Sequence, residues 1–388
     1  MRVLLGCSLG GEGHLVPLTT VGRAINRAGH EVVVVVPPAM AASAQRTGLS
    51  YRVGDEPPLA FVEEIWQRVR AGPADAVAGL IDRELFADRC TRAMLPAARR
   101  ARDAWRPALV VREPCEYATA IAAYEAGIAQ AQVGISLASL ESGVRKMVAP
   151  IIDGFAPGVA AAIGAAPYLS SFPASLDPSD WPDTRRFRST ATTAQPDTRE
   201  SWWGDGAAGP LVYVTFGSVL GHLSEAIATY RCALDAVAGL PVRVLMTVGR
   251  ATEVASLGFI PENTRVEQWV PQDAVLRRAD LVVCHGGSGT TFGALGAGVP
   301  VVICPLFADQ SRNARMVHDA GAGVVLSSEN EAAGGLLGLG PADVPGLRQR
   351  IEEVLREPRY RDGARRIGVE MSSMPGLDEM VERLTQRL

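Results

Sequence analysis

The sequence predicts an α/β protein with two domains, each built around a parallel β-sheet. The chain has 388 residues, a length that suits two domains of roughly 150–200 residues each. Short apolar runs recur in both halves and alternate with helix-like stretches. Such runs are typical of strands buried on both faces of a parallel sheet. We therefore expect ligands to bind where loops leave the carboxyl ends of these strands.

The N-terminal half begins with a predicted strand–helix–strand unit. Its strands are expected at Arg2–Leu5 and Glu31–Val36, and its helix at Leu18–Ala28 before Gly29. A further strand is expected at Ala108–Arg112. This order is that of a βαβ unit in a parallel sheet.

The C-terminal half repeats this architecture. Its predicted strands lie in "PLVYVTFGS", "VRVLMTVG", "DLVVCHGG" and "VPVVICPL". The stretch 172–209 is rich in Pro, Ser, Asp, Thr and Trp, which is typical of a linker. We therefore predict an N-terminal domain at residues 1–190, a linker at 191–209 and a C-terminal domain at 210–365. A helical segment at 366–388, with a break at Met374–Gly376, is expected to pack back on the N-terminal domain.

Composition limits the classes of partner. The net charge is −4, which argues against a nucleic-acid-binding surface. The six cysteines form no C-x-x-C pair, which favours reduced thiols in the cytoplasm. No signal peptide and no membrane-spanning stretch is recognised. We expect a cytoplasmic protein without stable membrane insertion, and the sequence leaves open whether it forms a homodimer.

A glycine-rich loop follows the predicted strand "DLVVC". The segment "CHGGSGTTFGALGAGVP" leaves this strand through two glycines and enters a helix near Ser288–Thr291. Glycines allow the backbone to approach a ligand closely, and free N–H groups at a helix start bind phosphate groups. A tight turn with helix-capping residues would look similar. The loop alone is therefore weak support for a diphosphate site.

The surrounding motifs make the interpretation specific. Residues 266–323 contain "WVPQ", "HGGSGTT", "GAGVPVV" and "FADQSRNA", in this order. This combination resembles the nucleotide-sugar-binding segment of the family 1 glycosyltransferases, and especially their bacterial antibiotic and natural-product branch. "VYVTFGS" is similar to the strand that opens the C-terminal domain of that family. The resemblance implies the GT-B fold, in which two Rossmann-like domains face a central cleft.

The resemblance also implies roles for individual residues. Trp269 would stack on the nucleotide base, a contact that aromatic faces make well. The backbone of Val270 and the side chain of Gln272 would lie near the base and sugar. The remaining donor-binding positions fall into three groups: His285, Gly287, Ser288, Gly289 and Thr290 for the diphosphate, Gly217 and Ser218 for the phosphates from the facing strand end, and Asp309 and Gln310 for the hydroxyls of the transferred sugar.

Gly293 departs from the pattern of the family. Members that use uridine diphosphate (UDP) sugars often carry a glutamate there, eight residues after the motif histidine, which holds the ribose hydroxyls. A carboxylate suits two vicinal hydroxyls, and its absence suits a 2′-deoxyribose. We therefore expect a thymidine diphosphate (dTDP) sugar as the donor, with a UDP-sugar as the alternative.

The N-terminal loop "GGEGHLVPL" does not fit a dinucleotide-binding loop. A G-x-G-x-x-G fingerprint would need a third glycine where Val16 stands, and "EVVVVV" runs into Pro37 instead of ending at an acid. "GHLVP" instead resembles the G-H-x-x-P motif of the glycosyltransferases, whose histidine is the general base. An imidazole can accept a proton near neutral pH, so His14 is the candidate base. Glu113 stands where the family has an orienting aspartate.

The acceptor and the diphosphate complete the predicted site. Gly11, Gly13 and Ser136 are expected to bind the acceptor, beside segments of small apolar residues such as "VGISLASLESGV". The sequence contains no D-x-D pattern and no zinc-type Cys/His spacing. We therefore expect no metal and no cofactor, and backbone amides, hydroxyls and a helix dipole would stabilise the leaving diphosphate.

The predicted function is that of an inverting glycosyltransferase. It would move a deoxysugar from a dTDP-sugar to a hydrophobic aglycone, such as a polyketide or enediyne, in antibiotic biosynthesis. Two alternatives stay open. One is the lipid-linked N-acetylglucosaminyl transferase of cell-wall synthesis, which has the same fold. The other is a non-catalytic nucleotide-binding partner. The sequence does not separate O- from C- or N-glycosylation.

Overall fold

The structure is a computed structural model that describes residues 1–71, 79–189, 209–217, 220–222, 226–306, 309–327 and 338–386. The chain divides into two compact units. Unit 1 comprises Met1–Thr190 and Met374–Leu388, and unit 2 comprises Ala191–Ser373. The predicted linker, apart from Gly209, lies outside the described residues. None of the described helices combines the length and the apolar character that crossing a membrane requires.

Unit 1 contains a parallel sheet whose described strands follow the order β3-β2-β1-β4-β5-β6-β7. Apolar side chains cover both faces of its central strands, as expected for a sheet between helices. The strands are β1 (Arg2–Gly6), β2 (Glu31–Val36), β3 (Ser50–Val53), β4 (Leu109–Arg112), β5 (Ala129–Val133), β6 (Tyr168–Ser170) and β7 (Thr184–Arg186).

Most helices of unit 1 connect these strands, the last one follows all of them in the chain, and one segment is a π-helix. They are α1 (Glu12–Arg27), the 3₁₀-helix Pro38–Met40, α2 (Ala41–Arg46), α3 (Leu59–Ala71), the π-helix Gly79–Cys90, α4 (Thr91–Trp105), α5 (Ala118–Glu125), α6 (Ala138–Asp153), α7 (Val159–Ala165) and α14 (Leu377–Thr385).

Unit 2 contains a second parallel sheet whose described strands follow the order β10-β9-β8-β11-β12-β13. The strands are β8 (Leu211–Thr215), β9 (Arg243–Thr247), β10 (Thr264–Glu267), β11 (Leu281–Cys284), β12 (Val301–Ile303) and β13 (Gly323–Val325). The α-helices are α8 (Ala226–Val237), α9 (Gln272–Leu276), α10 (Ser288–Gly296), α11 (Gln310–Asp319), α12 (Val344–Arg356) and α13 (Pro358–Ser373), and the 3₁₀-helices are Leu220–His222, Val254–Leu257 and Pro341–Asp343. The prediction of two parallel α/β sheets is confirmed.

Helix α1 begins earlier than the sequence predicts. It starts at Glu12 rather than Leu18, so His14 lies in its first turn and not in a loop. Pro17 falls inside the helix. Because Pro17 has no N–H group, the carbonyl of Gly13 lacks its intrahelical hydrogen bond, and a proline therefore often indicates a helix boundary. Here α1 continues through Pro17 with the loss of this one bond in its second turn.

The boundary at which the C-terminal segment joins unit 1 lies later in the chain than the sequence predicts. The expected boundary at residue 366 lies inside α13, which stays with unit 2 up to Ser373. The chain leaves the helix only at the Met374–Gly376 break. Helix α14 then packs on α1 within unit 1, where four apolar side chains enter the core: Leu377, Met380, Val381 and Leu384.

Candidate active site

The candidate catalytic residues lie at the carboxyl edge of the unit 1 sheet. Strands β1 and β4 pair in parallel with Gly6 opposite Arg112, so the segments that follow them leave the same edge. His14 lies on α1 after β1, and Glu113 directly follows β4. Nδ1 of His14 and Oε2 of Glu113 are 3.1 Å apart. The structure therefore brings together the two residues that the sequence predicts as a base and its orienting acid.

The carboxylate of Glu113 is buried and fully engaged. Its Oε1 accepts hydrogen bonds from the backbone N–H of Ser8 at 2.9 Å and from the Ser8 hydroxyl. Its Oε2 also accepts the N–H of Cys115 at 2.7 Å. Burial acts to raise the pKa of Glu113, but the charge of His14 and these hydrogen bonds hold the pKa below its ordinary value. An ionised Glu113 selects the Nδ1–H tautomer of His14 and leaves Nε2 as the basic nitrogen.

Arg112 holds the loop that carries Glu113, a role that no motif in the sequence indicates. Its guanidinium is buried and donates to the carbonyl oxygens of Glu113 at 2.9 Å, Pro114 at 3.2 Å and Glu116 at 3.0 Å. It also donates to Oε1 of Gln132 on β5. A buried cation bound to several carbonyl groups is costly to disturb. Arg112 therefore fixes the backbone on which the acid of the dyad sits.

Three glycines precede or begin α1, and they differ in their surroundings. A Cβ on Gly10 would overlap the His14 ring, so only glycine fits there. Gly11 is the N-cap residue of α1 and has φ 66°, a conformation that favours glycine. A Cβ on Gly13 would meet no atom within 4 Å. Gly10 thus lies against the His14 ring, although only Gly11 and Gly13 are predicted from the sequence to belong to the site.

The π-helix Gly79–Cys90 supplies a further neighbour of His14. Its Phe86 ring lies 5.7 Å from the His14 ring, centroid to centroid. Asp82 lies on the same element, one turn earlier. Burial raises the pKa of Asp82 to about 6, and the charge of His14 partly offsets this shift. No motif in this segment indicates a site, because π-helical turns have no sequence signature that marks them.

Ser136 lies beyond the carboxyl end of β5, the strand next to β4. Its N–H donates to Oε1 of Glu141 at 2.7 Å, and its carbonyl accepts the Tyr168 hydroxyl at 3.4 Å. Burial raises the pKa of Glu141 to about 8, against the hydrogen bonds from the N–H groups of Ile135 and Ser136. The backbone of Ser136 is thus fixed by buried partners at the same sheet edge as Glu113.

The predicted donor-binding residues lie at the carboxyl edge of the unit 2 sheet. Trp269 follows β10 and is 50% exposed, which leaves part of its ring surface accessible. The guanidinium of Arg250, which follows β9, lies 5.0 Å from the centroid of this ring. The next residue, Val270, is buried. An exposed tryptophan beside a cation suits the stacking of a planar, electron-rich ring.

His285 follows β11 and lies between glycines. A Cβ on Gly217, which follows β8, would stand 2.8 Å from Nε2 of His285, and a Cβ on Gly287 would overlap the same ring. Nδ1 of His285 is buried and has no hydrogen-bond partner among the residues that the structure describes. Burial lowers the pKa of His285 to about 4, so the imidazole is neutral at physiological pH. Ser218, predicted beside Gly217, lies outside the described residues.

Helix α10 begins at this point with its first residues at the sheet edge. Ser288, Gly289 and Thr290 are its first three residues, and such N–H groups have no acceptor within a helix. The helix dipole adds a partial positive charge at this end. The Thr290 hydroxyl lies 3.4 Å from Oε1 of Gln272, the first residue of α9. This end of α10 is suited to an anion.

The start of α11 is tied to the start of α10. Oδ2 of Asp309 accepts the Ser288 hydroxyl at 2.9 Å, and the Asn313 amide donates to Ser288 Oγ at 3.0 Å. Gln310 is buried, and its Oε1 accepts the Leu306 N–H at 2.8 Å. Asp309 thus lies at the edge with the other predicted donor residues. The side chain of Gln310 is directed to the backbone of its own loop, which the motif did not reveal.

This architecture is that of the GT-B glycosyltransferases. The spinosyn rhamnosyltransferase SpnG matches it with a TM-score of 0.81 at 24% identity, over 99% of this chain and 100% of SpnG. Structures of SpnG with spinosyn aglycone and with thymidine diphosphate match as well. This likeness establishes the fold.

Sequence comparison places the chain within this class. Residues 231–387 match the model of the erythromycin biosynthesis protein CIII-like C-terminal domain. L-Demethylnoviosyl transferase of Streptomyces niveus is 30% identical, over 85% of this chain and 86% of that protein. Elloramycin glycosyltransferase ElmGT of Streptomyces olivaceus is 28% identical, over 75% of this chain and 71% of that protein. The protein belongs to the antibiotic branch of the family 1 glycosyltransferases and is a glycosyltransferase.

Proposed function

We propose that the protein transfers a sugar from dTDP to a hydroxyl group of a small hydrophobic natural product, with inversion at the anomeric carbon and without a metal. The observation that carries this proposal is the hydrogen-bonded pair of His14 and a buried, ionised Glu113. A base held by a fixed anion is the arrangement that proton abstraction from a hydroxyl group requires.

The proton and the bonds move in one step. Nε2 of His14 removes the proton of the acceptor hydroxyl as its oxygen attacks the anomeric carbon. The new carbon–oxygen bond forms on the face opposite the diphosphate, and the bond to the diphosphate oxygen breaks with its electron pair. The proton stays on His14, where Glu113 stabilises the imidazolium.

Unit 2 binds the donor. The base stacks on Trp269, whose ring is half exposed, while the N-terminus of α10 and the glycines around His285 bind the diphosphate. Asp309 binds hydroxyls of the transferred sugar. Gly293 supports dTDP as the nucleotide, because it offers no carboxylate to a ribose. SpnG, with the same fold, has been crystallised with thymidine diphosphate and with an aglycone, which supports these ligand classes.

Unit 1 binds the acceptor around the dyad. Gly11, Gly13 and Ser136 form its contacts, and the apolar ring of Phe86 lies beside the base. A hydrophobic aglycone suits this mixture because most of its surface needs apolar contacts and one hydroxyl must reach His14.

The test is transfer from dTDP-sugars to a panel of aglycones, followed by mass spectrometry. His14→Ala should lower the rate of transfer by about 10²–10⁴-fold, the contribution of a general base. The affinity for dTDP, measured by calorimetry, should not change. His30→Ala is the matched control, since His30 precedes β2 at the opposite edge of the unit 1 sheet. Transfer should also persist in EDTA. Equal losses of dTDP binding and transfer in His14→Ala, or a loss of transfer in EDTA, would contradict the proposal.

A further inference from the structure

The thiol of Cys115 lies beside the proposed base dyad and has no part in the proposed reaction. Nδ1 of His14, a carboxylate oxygen of Glu113 and Sγ of Cys115 all lie within 4.8 Å of one another. Among the residues that the structure describes, this is the group of three side chains whose atoms are spaced for a metal ion. Glu113 and Cys115 are two residues apart on one loop, and His14 comes from α1.

Nδ1 of His14 and Oε2 of Glu113 are already spaced nearly like two ligands of one zinc ion. Zinc binds nitrogen and carboxylate oxygen at about 2.0 Å and sulfur at about 2.3 Å in a tetrahedron, so neighbouring ligand atoms lie about 3.3–3.5 Å apart. Nδ1 of His14 and Oε2 of Glu113 are 3.1 Å apart. The thiol needs to approach these two atoms by about 1 Å to complete three ligands. A rotation of the Cys115 side chain can supply a shift of this size.

The donor set selects the kind of ion. Imidazole nitrogen and thiolate sulfur suit zinc and related soft or borderline cations, whereas magnesium and calcium prefer oxygen ligands alone. The half-buried Cys115 also lines a small recess of about 10 Å³ with Ser8, Cys90 and Tyr117. This volume is about enough for one water molecule, which could stand beside the thiol as a fourth ligand.

We propose that His14, Glu113 and Cys115 form a zinc site, and that zinc bound there inhibits the enzyme. The inhibition follows from the tautomer of the base. In the dyad, Nδ1–H donates to Glu113 and Nε2 carries the lone pair that accepts the acceptor proton. Zinc on Nδ1 takes the place of that proton, so the neutral imidazole carries its proton on Nε2 and cannot act as the base. The thiol gives up its proton when it binds the ion.

The inhibition experiment rests on the proposed function. Zinc chloride is titrated into the full-length, metal-free protein during transfer from a dTDP-sugar, and each variant is compared with its own zinc-free rate. Wild type should be inhibited, and EDTA should restore the rate. Cys115→Ala and Cys115→Ser should each need at least about tenfold more zinc, since even an outer-shell partner contributes that much to affinity. Cys90→Ala is the matched control, because it removes another thiol of the same recess and should keep the sensitivity of wild type.

A second measurement does not depend on sugar transfer. Cobalt(II) added to the metal-free protein should give the charge-transfer absorption of a cobalt–thiolate bond in wild type and in Cys90→Ala, and this band should be absent in both Cys115 variants. Thermal unfolding checks that the variants are folded. If the Cys115 variants keep the zinc sensitivity or the cobalt band of wild type, the site is wrong. If no variant transfers sugar but the band requires Cys115, the site holds and the proposed function fails.

Discussion

The candidate sites of the two units are built from different kinds of residue. In unit 1, buried charges are held by side-chain hydrogen bonds, with Glu113 bonded to Ser8 and His14 and with Arg112 bonded to three carbonyl groups. In unit 2, the predicted phosphate-binding residues are glycines and the first residues of a helix, around a neutral His285. The difference follows from the chemistry. Proton transfer needs a charge at a fixed distance, whereas a diphosphate needs close approach of many weak donors.

Removing the buried negative charge of Glu113 should have the largest effect on kcat. Glu113→Gln keeps the size of the side chain but no longer selects the Nδ1–H tautomer of His14. We expect kcat to fall by about 10²–10⁴-fold, as for loss of a general base, without a change in the affinity for dTDP. Both quantities can be measured, by product formation and by calorimetry.

Glu113→Asp is the matched variant. It retains the charge on a shorter side chain, and its loss of kcat should be smaller than that of the glutamine variant. If Glu113→Gln keeps the kcat of wild type, the carboxylate has no part in orienting His14. The contrast between a fixed charge in unit 1 and weak donors in unit 2 would then have no functional meaning.

A substitution of Gly10 should displace the His14 ring without changing the imidazole itself. Gly10→Ala places a methyl group in the position of the His14 ring, so the ring must turn away from Glu113. A misplacement of about 1 Å can cost about 100-fold in rate, and we expect a loss of that order in kcat. The rate is measured at saturating donor and acceptor.

Gly13→Ala is the comparison within the same segment. Its methyl group would meet no atom within 4 Å. Its effect on kcat should be at least about tenfold smaller than that of Gly10→Ala, and any change should appear in the KM of the acceptor. Equal losses of kcat in the two variants would show that the contact of Gly10 with the ring is not the cause.

The burial of a neutral His285 in unit 2 should make the stability of the protein depend on pH. The folded pKa of His285 is lowered to about 4, below the ordinary value of about 6.5. Between these values the unfolded chain binds a proton that the folded chain does not, so stability is complete above pH 6.5 and falls as the pH decreases towards 4. The expected loss at pH 5 is about 1–2 kcal/mol. It can be measured by thermal unfolding of the ligand-free protein from pH 7 to pH 5.

The control is His285→Asn, which removes the titrating group. Other groups titrate in this range, among them Asp82, whose pKa is raised to about 6. The informative quantity is therefore the difference in slope between the two proteins. Wild type should lose Tm more steeply on acidification than His285→Asn. Parallel curves would mean that His285 is not held neutral by burial.

The candidate sites of the two units also differ in how far the sequence predicts them. In unit 2 the motif residues are contiguous, and the strand ends bring them to one edge, so "HGGSGTT" and "WVPQ" predict the composition of that edge. What the motif did not predict is the direction of a side chain. Gln310 shares its motif with Asp309, but the Oε1 atom of its side chain accepts a hydrogen bond from the Leu306 N–H. Direction depends on local hydrogen bonds that a spacing does not encode.

In unit 1 the sequence predicts the two principal residues but not what holds them. His14 is predicted because "GHLVP" resembles a family motif, and Glu113 because it stands where the family has an orienting aspartate after a strand. Arg112 reads as the last residue of a strand, and its burial against three carbonyl groups depends on the turn of the following loop. Gly10 has the contact with the ring because α1 begins at Glu12, six residues before the predicted start. Both contacts lie within a few residues of the sequence, but they depend on where a helix begins and how a loop turns, and such boundaries are the least predictable features of a sequence.

The smallest expected effect concerns Gly293 and the choice of nucleotide. A Cβ at this position would lie 3.0 Å from Nε2 of Gln272 and 3.3 Å from Cδ1 of Leu276, so a side chain can fit after a small shift of Gln272. A glutamate there could reach vicinal hydroxyls of a ribose, which a 2′-deoxyribose lacks. We expect Gly293→Glu to raise the ratio of kcat/KM for UDP-sugar to that for dTDP-sugar by about tenfold, which is the value of one added hydrogen bond to a charged group.

Gly293→Ala separates the carboxylate from the displacement of Gln272. The methyl group disturbs the amide by the same contact but offers no acceptor, so kcat/KM should fall by a similar factor for both donors and leave their ratio unchanged. A shift of the ratio in the alanine variant would assign the preference to Gln272. No shift in the glutamate variant would mean that the nucleotide is chosen by the base on Trp269 and not at the ribose. In that case the inference of a dTDP donor from Gly293 would lose its support, while the proposed reaction on the unit 1 dyad would stand.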